Sequence, residues 1–418
     1  MKRTNSHVDG SQPKKKNFGK LLSSFKTSKV KKTPIETTSV ISEPKLGFVD
    51  VECQRSKEVK PRTLWSFWHT GAESMPSFYK MCVKSWKLRL NCEPSTQWDI
   101  RILNLIEGHE DNIFQFISKS DLPDSFMKIY LRQHQSDLVR LALLDLFGGV
   151  WCDVSILMFE SIEPLWRHIN VNIPLSQKCS MDSDLVEDSS AANQVGGIAH
   201  FFFKDFGTSE YERKDFVEVW FIAVSKPHHI FIQSWRAAMM EYWGNGRTAS
   251  TGLASNPFFA SAKIAEGPIP GWGWDYLSMS HCYKKLISEQ PYMRELWNGS
   301  SSNRNTLPCF TLLDSQAPFF CRIALGLKKL NSSGPNSLLH TDDEQSSRRI
   351  LRATPMLKFT SNFVGDSKSL DETRLFAHPS TLQRLFHHAF RDEHMAASSS
   401  HEQSKSWEHL IADNSNQT

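Results

Sequence analysis

The stretch "SDLVRLALLDLFGGVWCDVSILM" (Ser136–Met158) decides how this chain folds. Its first half repeats apolar residues at helical spacing: Val139, Ala142, Leu143 and Leu146 form a stripe, joined by Leu138 and Leu141. Gly148 and Gly149 stop that helix, because glycine accepts the left-handed conformation that ends one. "VWCDVSILM" is then nearly all apolar, as in a strand covered on both faces. Three charges at the edges of the unit break the pattern. Asp137 and Arg140 lie three apart and so share a helix face. Asp153 interrupts the strand, where an unpaired carboxylate costs several kcal/mol. An ordinary surface pair and a strand-end cap would account for them separately. Together, around one helix–Gly-Gly–strand unit, they point to a ligand, since open α/β sheets bind at the carboxyl ends of their strands.

Working outward, "TLWSFWH" (Thr63–His69) is β-rich and aromatic. "MPSFYKMCVKSWKLRL" follows, with Phe78, Cys82, Trp86 and Leu90 at four-residue steps, a helical stripe. "WDIRILN" alternates as a strand, with Trp98, Ile100 and Ile102 on one side. Helices are predicted over Asn112–Ser118 and Ser125–Phe147. Strand and helix in alternation predict a parallel sheet with crossover helices. Beyond Pro164 the pattern weakens. "GGIAHFFF" (Gly196–Phe203) and "VEVWFIAV" (Val217–Val224) read as strands; His228–Trp243, Leu277–Glu289 and Thr381–Phe390 read as helices.

At 418 residues the chain can bury a sizeable core, and its 13 Trp and 27 Phe suit core packing first and flat binding platforms second. Charge is uneven. Residues 1–33 carry +9 of an overall +4, so the remainder is −5. A Lys/Ser/Thr-rich segment of this kind cannot bury enough apolar surface to fold. It suits contact with an anionic membrane surface, RNA or an import receptor, or simple solvation. The expected organisation is a disordered basic tail over 1–45, a folded domain over 46–365 and a C-terminal tail with a short helix over 366–418. None of the eight cysteines has CxxC spacing, which argues against zinc, and thiols within apolar runs fit a reducing compartment. No run reaches membrane-span length and no signal-peptide core is evident. A cytoplasmic or membrane-peripheral location is expected, with the secretory pathway, and use of the sequons at Asn298 and Asn331, open only through an N-terminal anchor not present here.

The Ser136–Ser155 block resembles the signature of glycosyltransferases with a DXD sugar-binding region, of the capsular-polysaccharide-synthesis type (glycosyltransferase family 32-like). There an S-D-x-x-R helix leads through Gly-Gly-V-[WY] to Asp-x-Asp. Weaker echoes in the same order are "RTLWSFWHTGAESMPSFYKMCVKSW", "WDIRILN", "WFIAVSKPHHIFIQSW", "DYLSMSHCYKKLI" and "PMLKFT", covering about residues 62–360. The resemblance implies a GT-A-like α/β fold: a Rossmann-like, mostly parallel central sheet flanked by helices. It also implies a nucleotide-diphosphate-sugar donor and a glycan or other hydroxyl acceptor, with retention of configuration. By the same resemblance Asp137 and Arg140 hold donor hydroxyls, and Asp153 contacts the ribose and the metal region. An aromatic of the first strand stacks on the base, Trp65 in preference to Trp68. Nucleic acid is not expected to bind the folded domain.

The chemistry fits those roles. A carboxylate accepts paired hydroxyl hydrogen bonds, and arginine supplies directed donors. Departure of a nucleoside diphosphate builds negative charge that Mg²⁺, Mn²⁺ or cationic side chains must meet. Ser155 stands where DXD has its second acid, which puts metal dependence in question and leaves Lys358 to neutralise the diphosphate. It also leaves a second reading, a non-catalytic nucleotide-sugar or glycan-binding protein of the same fold. A third, nucleic-acid association, rests on the tail alone. Asp275, Trp272 and Trp274 could serve an acceptor or merely cap and pack a loop. His228-His229 fit a turn, His387-His388 point apart on a helix, and "HTDDE" (His340–Glu344) fits a solvated acidic loop. No Gly-rich phosphate loop motif occurs.

Overall fold

The computed structural model of the protein describes residues 58–91, 97–170, 197–202, 217–262, 277–291, 342–359 and 368–391. Short pieces at 173–174, 194–195 and 310–314 and residues 364 and 407 are also described. The basic tail, the sequons, and Trp272, Trp274, Asp275 and His340 lie outside them.

Strand β1 (Thr63–Phe67), helix α1 (Ser77–Leu90), strand β2 (Asp99–Leu103), helix α2 (Arg132–Phe147) and strand β3 (Gly149–Cys152) follow in order. β1 pairs in parallel with both β2 and β3. The chain continues through β4 (Ile156–Met158), α3 (Glu163–Ile169), the two-residue pair β5 (Ile173–Pro174) and β6 (Gln194–Val195), β7 (Ile198–Phe202) and β8 (Val217–Val224). It ends through α4 (Ile230–Trp243), α5 (Ser278–Glu289), β9 (Phe310–Asp314), α6 (Glu344–Ala353), β10 (Met356–Lys358), α7 (Glu372–Phe376) and α8 (Thr381–Phe390). Six strands form the central sheet in the order β2-β1-β3-β8-β7-β9. Only β8 runs against its neighbours, so the α/β sheet is mostly parallel, as expected.

Alternation along the strands sends side chains to two cores, one on each face. Leu64, Val150 and Cys152 join α1, β4, β10 and α8 on one side. Trp65, Trp151 and Ile222 join α2, α4 and α5 on the other. The predicted α1 stripe is buried in full, and Trp86 Nε1 donates to the Ile156 carbonyl at 2.7 Å. The helix expected in the C-terminal tail packs into the same core through Leu382, Leu385, Phe386 and Ala389. Gly149 (φ +87°) is required: a Cβ there would stand 2.5 Å from the Thr63 carbonyl oxygen.

Three elements differ from expectation. The helix predicted from Ser125 begins at Arg132, after a single turn over Phe126–Lys128. Tyr130 N donates to Thr248 O at 3.0 Å and holds the intervening segment extended. The helix over Asn112–Ser118 is one tight turn, Ile113–Gln115, begun by the Asn112 side chain accepting from Phe114 N. The single strand read in "VWCDVSILM" is two strands in two sheets. A turn divides them where Ile156 N donates to Asp153 O at 3.1 Å, and Asp and Ser are turn formers. β4 then pairs antiparallel with β10, setting Lys358 opposite Ile156.

Candidate active site

A cavity of about 550 Å³ lies over the carboxyl ends of β1 and β3, the amino end of the reversed strand β8 and the first turns of α2. Asp137, Arg140 and Asp153 line it. Arg140, buried, is the hinge of the trio. It donates to Asp137 Oδ1 at 2.7 Å and to Asp153 Oδ1 at 3.3 Å, with its guanidinium 4.7 Å above the Trp151 ring. Asp137 sits one turn before Arg140 on α2, and the turn after β3 presents Asp153. Of the three, Asp153 is the most open to the cavity, its side chain 28% exposed.

Asp153 is held from both sides. Trp151 Nε1 donates to Oδ1 at 3.0 Å, and Lys358 Nζ donates to Oδ2 at 2.6 Å. The same ammonium donates to Ser155 Oγ at 2.8 Å. Burial works against ionisation of Asp153, but the charges of Lys358 and Arg140 and the hydrogen bonds outweigh it, and the carboxyl stays below its usual range. Lys358 is placed by the backbone: β10 pairs with β4, and Phe359 N donates to Ser155 O at 2.9 Å.

Trp65 is not in the site. Its residue position on β1 points it to the α2 face, where it is fully buried, donates from Nε1 to Gly148 O at 3.0 Å and packs edge-on to Phe116. A base cannot reach it. Trp68, one residue beyond the strand, lines the cavity and rests against Tyr79. Residues that sequence reasoning missed also line the cavity: His69, Tyr130 (81% exposed) and Arg132. Burial and the Arg132 charge lower the His69 pKa.

Glu218, on β8, was also missed, although a lone acid in "VEVWFIAV" marks it. It is buried, its Oε1 has no hydrogen-bond partner, and burial pushes its carboxyl up to about 8 against the pull of Lys358. Other candidates have structural duties. His228 lies in a left-handed turn, 3.4 Å from Asp145. Asp343 caps α6, Asp342 pairs with Arg384 at 2.8 Å, and His387 and His388 pack against different rings, Phe376 and Phe159. Among the described residues no three His, Cys, Asp or Glu side chains cluster as a metal site would need. Nor is any described helix long and apolar enough to cross a membrane.

Comparison with known proteins places this geometry in context. Residues 43–263 match the sequence family described as "Capsular polysaccharide synthesis protein". The chain is 30% identical to "Glycosyltransferase afumC" of Aspergillus fumigatus over 54% of each sequence. It is 34% identical to "O-glycosyltransferase PaGT" of Phomopsis amygdali over 27% of this chain and 29% of that one. It is 26% identical to "O-glycosyltransferase braB" of Annulohypoxylon truncatum over 50% and 44%. The chain thus spans about half the length, or less, of these relatives. The matched segment holds both the helix that carries Asp137 and Arg140 and the turn that carries Asp153, and on that match the chain belongs to the capsular polysaccharide synthesis protein family.

Proposed function

We propose that the protein is a glycosyltransferase that moves a hexosyl group from a nucleoside-diphosphate sugar to a hydroxyl of a glycan or other acceptor, with retention. One observation carries this reading: Asp137, Arg140 and Asp153 converge at the strand ends beneath one cavity. The relatives named as glycosyltransferases support it. In this reading Asp137 and Arg140 hold the sugar hydroxyls, Asp153 holds the ribose side, and Trp68 stacks on the base. The bond from the anomeric carbon to the phosphate oxygen breaks, and its electron pair leaves with the diphosphate. The acceptor oxygen bonds to the same carbon, and its proton passes to the departing phosphate. Asp153, paired to two cations, is a weak base, which suits a reaction without a strong general base.

The test is a thermal-shift screen of UDP-, GDP- and CDP-sugars against wild type and Asp153→Ala. Stabilisation of wild type that falls by about tenfold or more in apparent affinity in the variant is expected. No stabilisation by any donor would overturn the reading. Stabilisation without release of nucleoside diphosphate, in the presence of a hydroxyl acceptor panel, would move it to a binding protein of the same fold.

A further inference from the structure

In the DXD region that the Ser136–Ser155 block resembles, two acids would hold a divalent cation for the diphosphate. Here the corresponding positions are Asp153 and Ser155, and the group bridging them is already part of the chain. Lys358 Nζ stands 2.6 Å from Asp153 Oδ2 and 2.8 Å from Ser155 Oγ. The other carboxylate oxygen, Oδ1, accepts from Trp151 and Arg140. A Mg²⁺ or Mn²⁺ ion collects about six oxygen ligands, so it would need lone pairs that these donors occupy. It would also sit beside an ammonium ion.

The charge balance points the same way. The four charged groups in mutual hydrogen-bond contact are two acids, Asp137 and Asp153, and two bases, Arg140 and Lys358. They sum to zero, whereas a divalent-cation site needs an excess of negative charge. Lys358 is no loose surface side chain: it is 8% exposed, lies on a strand paired to the residue after Ser155, and is followed by a backbone bond to Ser155 itself. Among the described residues, those at this position do not fit a divalent cation.

We propose that Lys358 takes the place of the divalent cation, so that donor binding and glycosyl transfer at this site need no metal ion. The inference rests on the reading of the cavity as a nucleotide-sugar site. Lys358 compensates Asp153 from outside the cavity lining, and the diphosphate meets the arginines that line the cavity, Arg132 and Arg140.

Two measurements on the full chain decide it. The first is uptake of Mn²⁺ by the protein alone, followed by electron paramagnetic resonance. No specific uptake is expected in wild type; uptake that Asp153→Ala abolishes would overturn the proposal. The second is calorimetric binding of UDP, GDP and CDP in EDTA and in Mn²⁺. Affinities within about twofold of each other are expected, and a loss of about tenfold or more in EDTA would overturn it. The double variant Lys358→Met, Ser155→Asp removes the ammonium and restores the acid. It should take up Mn²⁺ and bind nucleotide with EDTA sensitivity; a folded double variant that does neither also overturns the proposal. If no nucleotide binds wild type under any condition, the donor reading fails, while the Mn²⁺ titrations still decide the cation question.

Discussion

Two tryptophans three residues apart serve different ends. Trp65 fills the space under Gly148 and Gly149 and is sealed; Trp68 leaves the strand and meets the cavity. Trp65→Ala should therefore destabilise the protein by ~3–5 kcal/mol, as other buried aromatic truncations do. Trp68→Ala, which truncates a ring only partly buried against the core, should cost clearly less in urea unfolding while weakening nucleotide binding by ~1–3 kcal/mol, the loss of one base–ring stack. Equal effects of the two variants on unfolding would remove the distinction. At this scale the sequence was informative where charge broke an apolar pattern. Asp137, Arg140 and Asp153 stood out for that reason, and the structure brings them together. The preference for Trp65 over Trp68 fails on burial: both tryptophans belong to one short run, and only the strand's end at Phe67 separates a core position from a cavity position.

Among the elements, α4 is tied to α2 by more than apolar packing. Arg236 donates to Asp145 Oδ2 at 2.6 Å and to Asp121 Oδ1 at 2.7 Å, both carboxylates being about nine-tenths buried. Burial opposes ionisation of Asp121, yet hydrogen bonds from Ser118 and Arg236 hold its carboxyl below the usual range. Arg236→Ala strands two buried negative charges and should cost ~3–5 kcal/mol in denaturant unfolding, with nucleotide affinity per folded molecule unchanged. A loss under ~1 kcal/mol would show the clamp to be solvated. Helices with a stripe, such as Ser77–Leu90 and Thr381–Phe390, were legible because each buries one face. The division of "VWCDVSILM" into two strands was not. Its apolar run is continuous, and the break at Asp153 depends on a partner strand about 200 residues later in the chain.

For the whole molecule, Glu218 is one group through which pH acts on stability. Its carboxyl rises from an ordinary 4.5 to about 8 on folding, because burial disfavours the charge. The folded state then holds a proton that the unfolded chain gives up. This contribution to stability is complete below about pH 4.5 and is lost as pH climbs towards 8. Glu218→Gln keeps the uncharged form at every pH. Between pH 5 and pH 8 the wild-type melting temperature should therefore fall by about 5 °C or more relative to the variant. Parallel curves would show that Glu218 is ionised in the fold. One more consequence follows from β10. The ammonium that neutralises Asp153 is encoded 205 positions downstream of it. At ~5–20 residues per second a ribosome needs ~10–40 s to add it after the acid has emerged. A nascent or prematurely terminated polypeptide holds Asp137, Arg140 and Asp153 with only one of the two cations that contact Asp153, so the charge balance at the cavity is completed only late in translation.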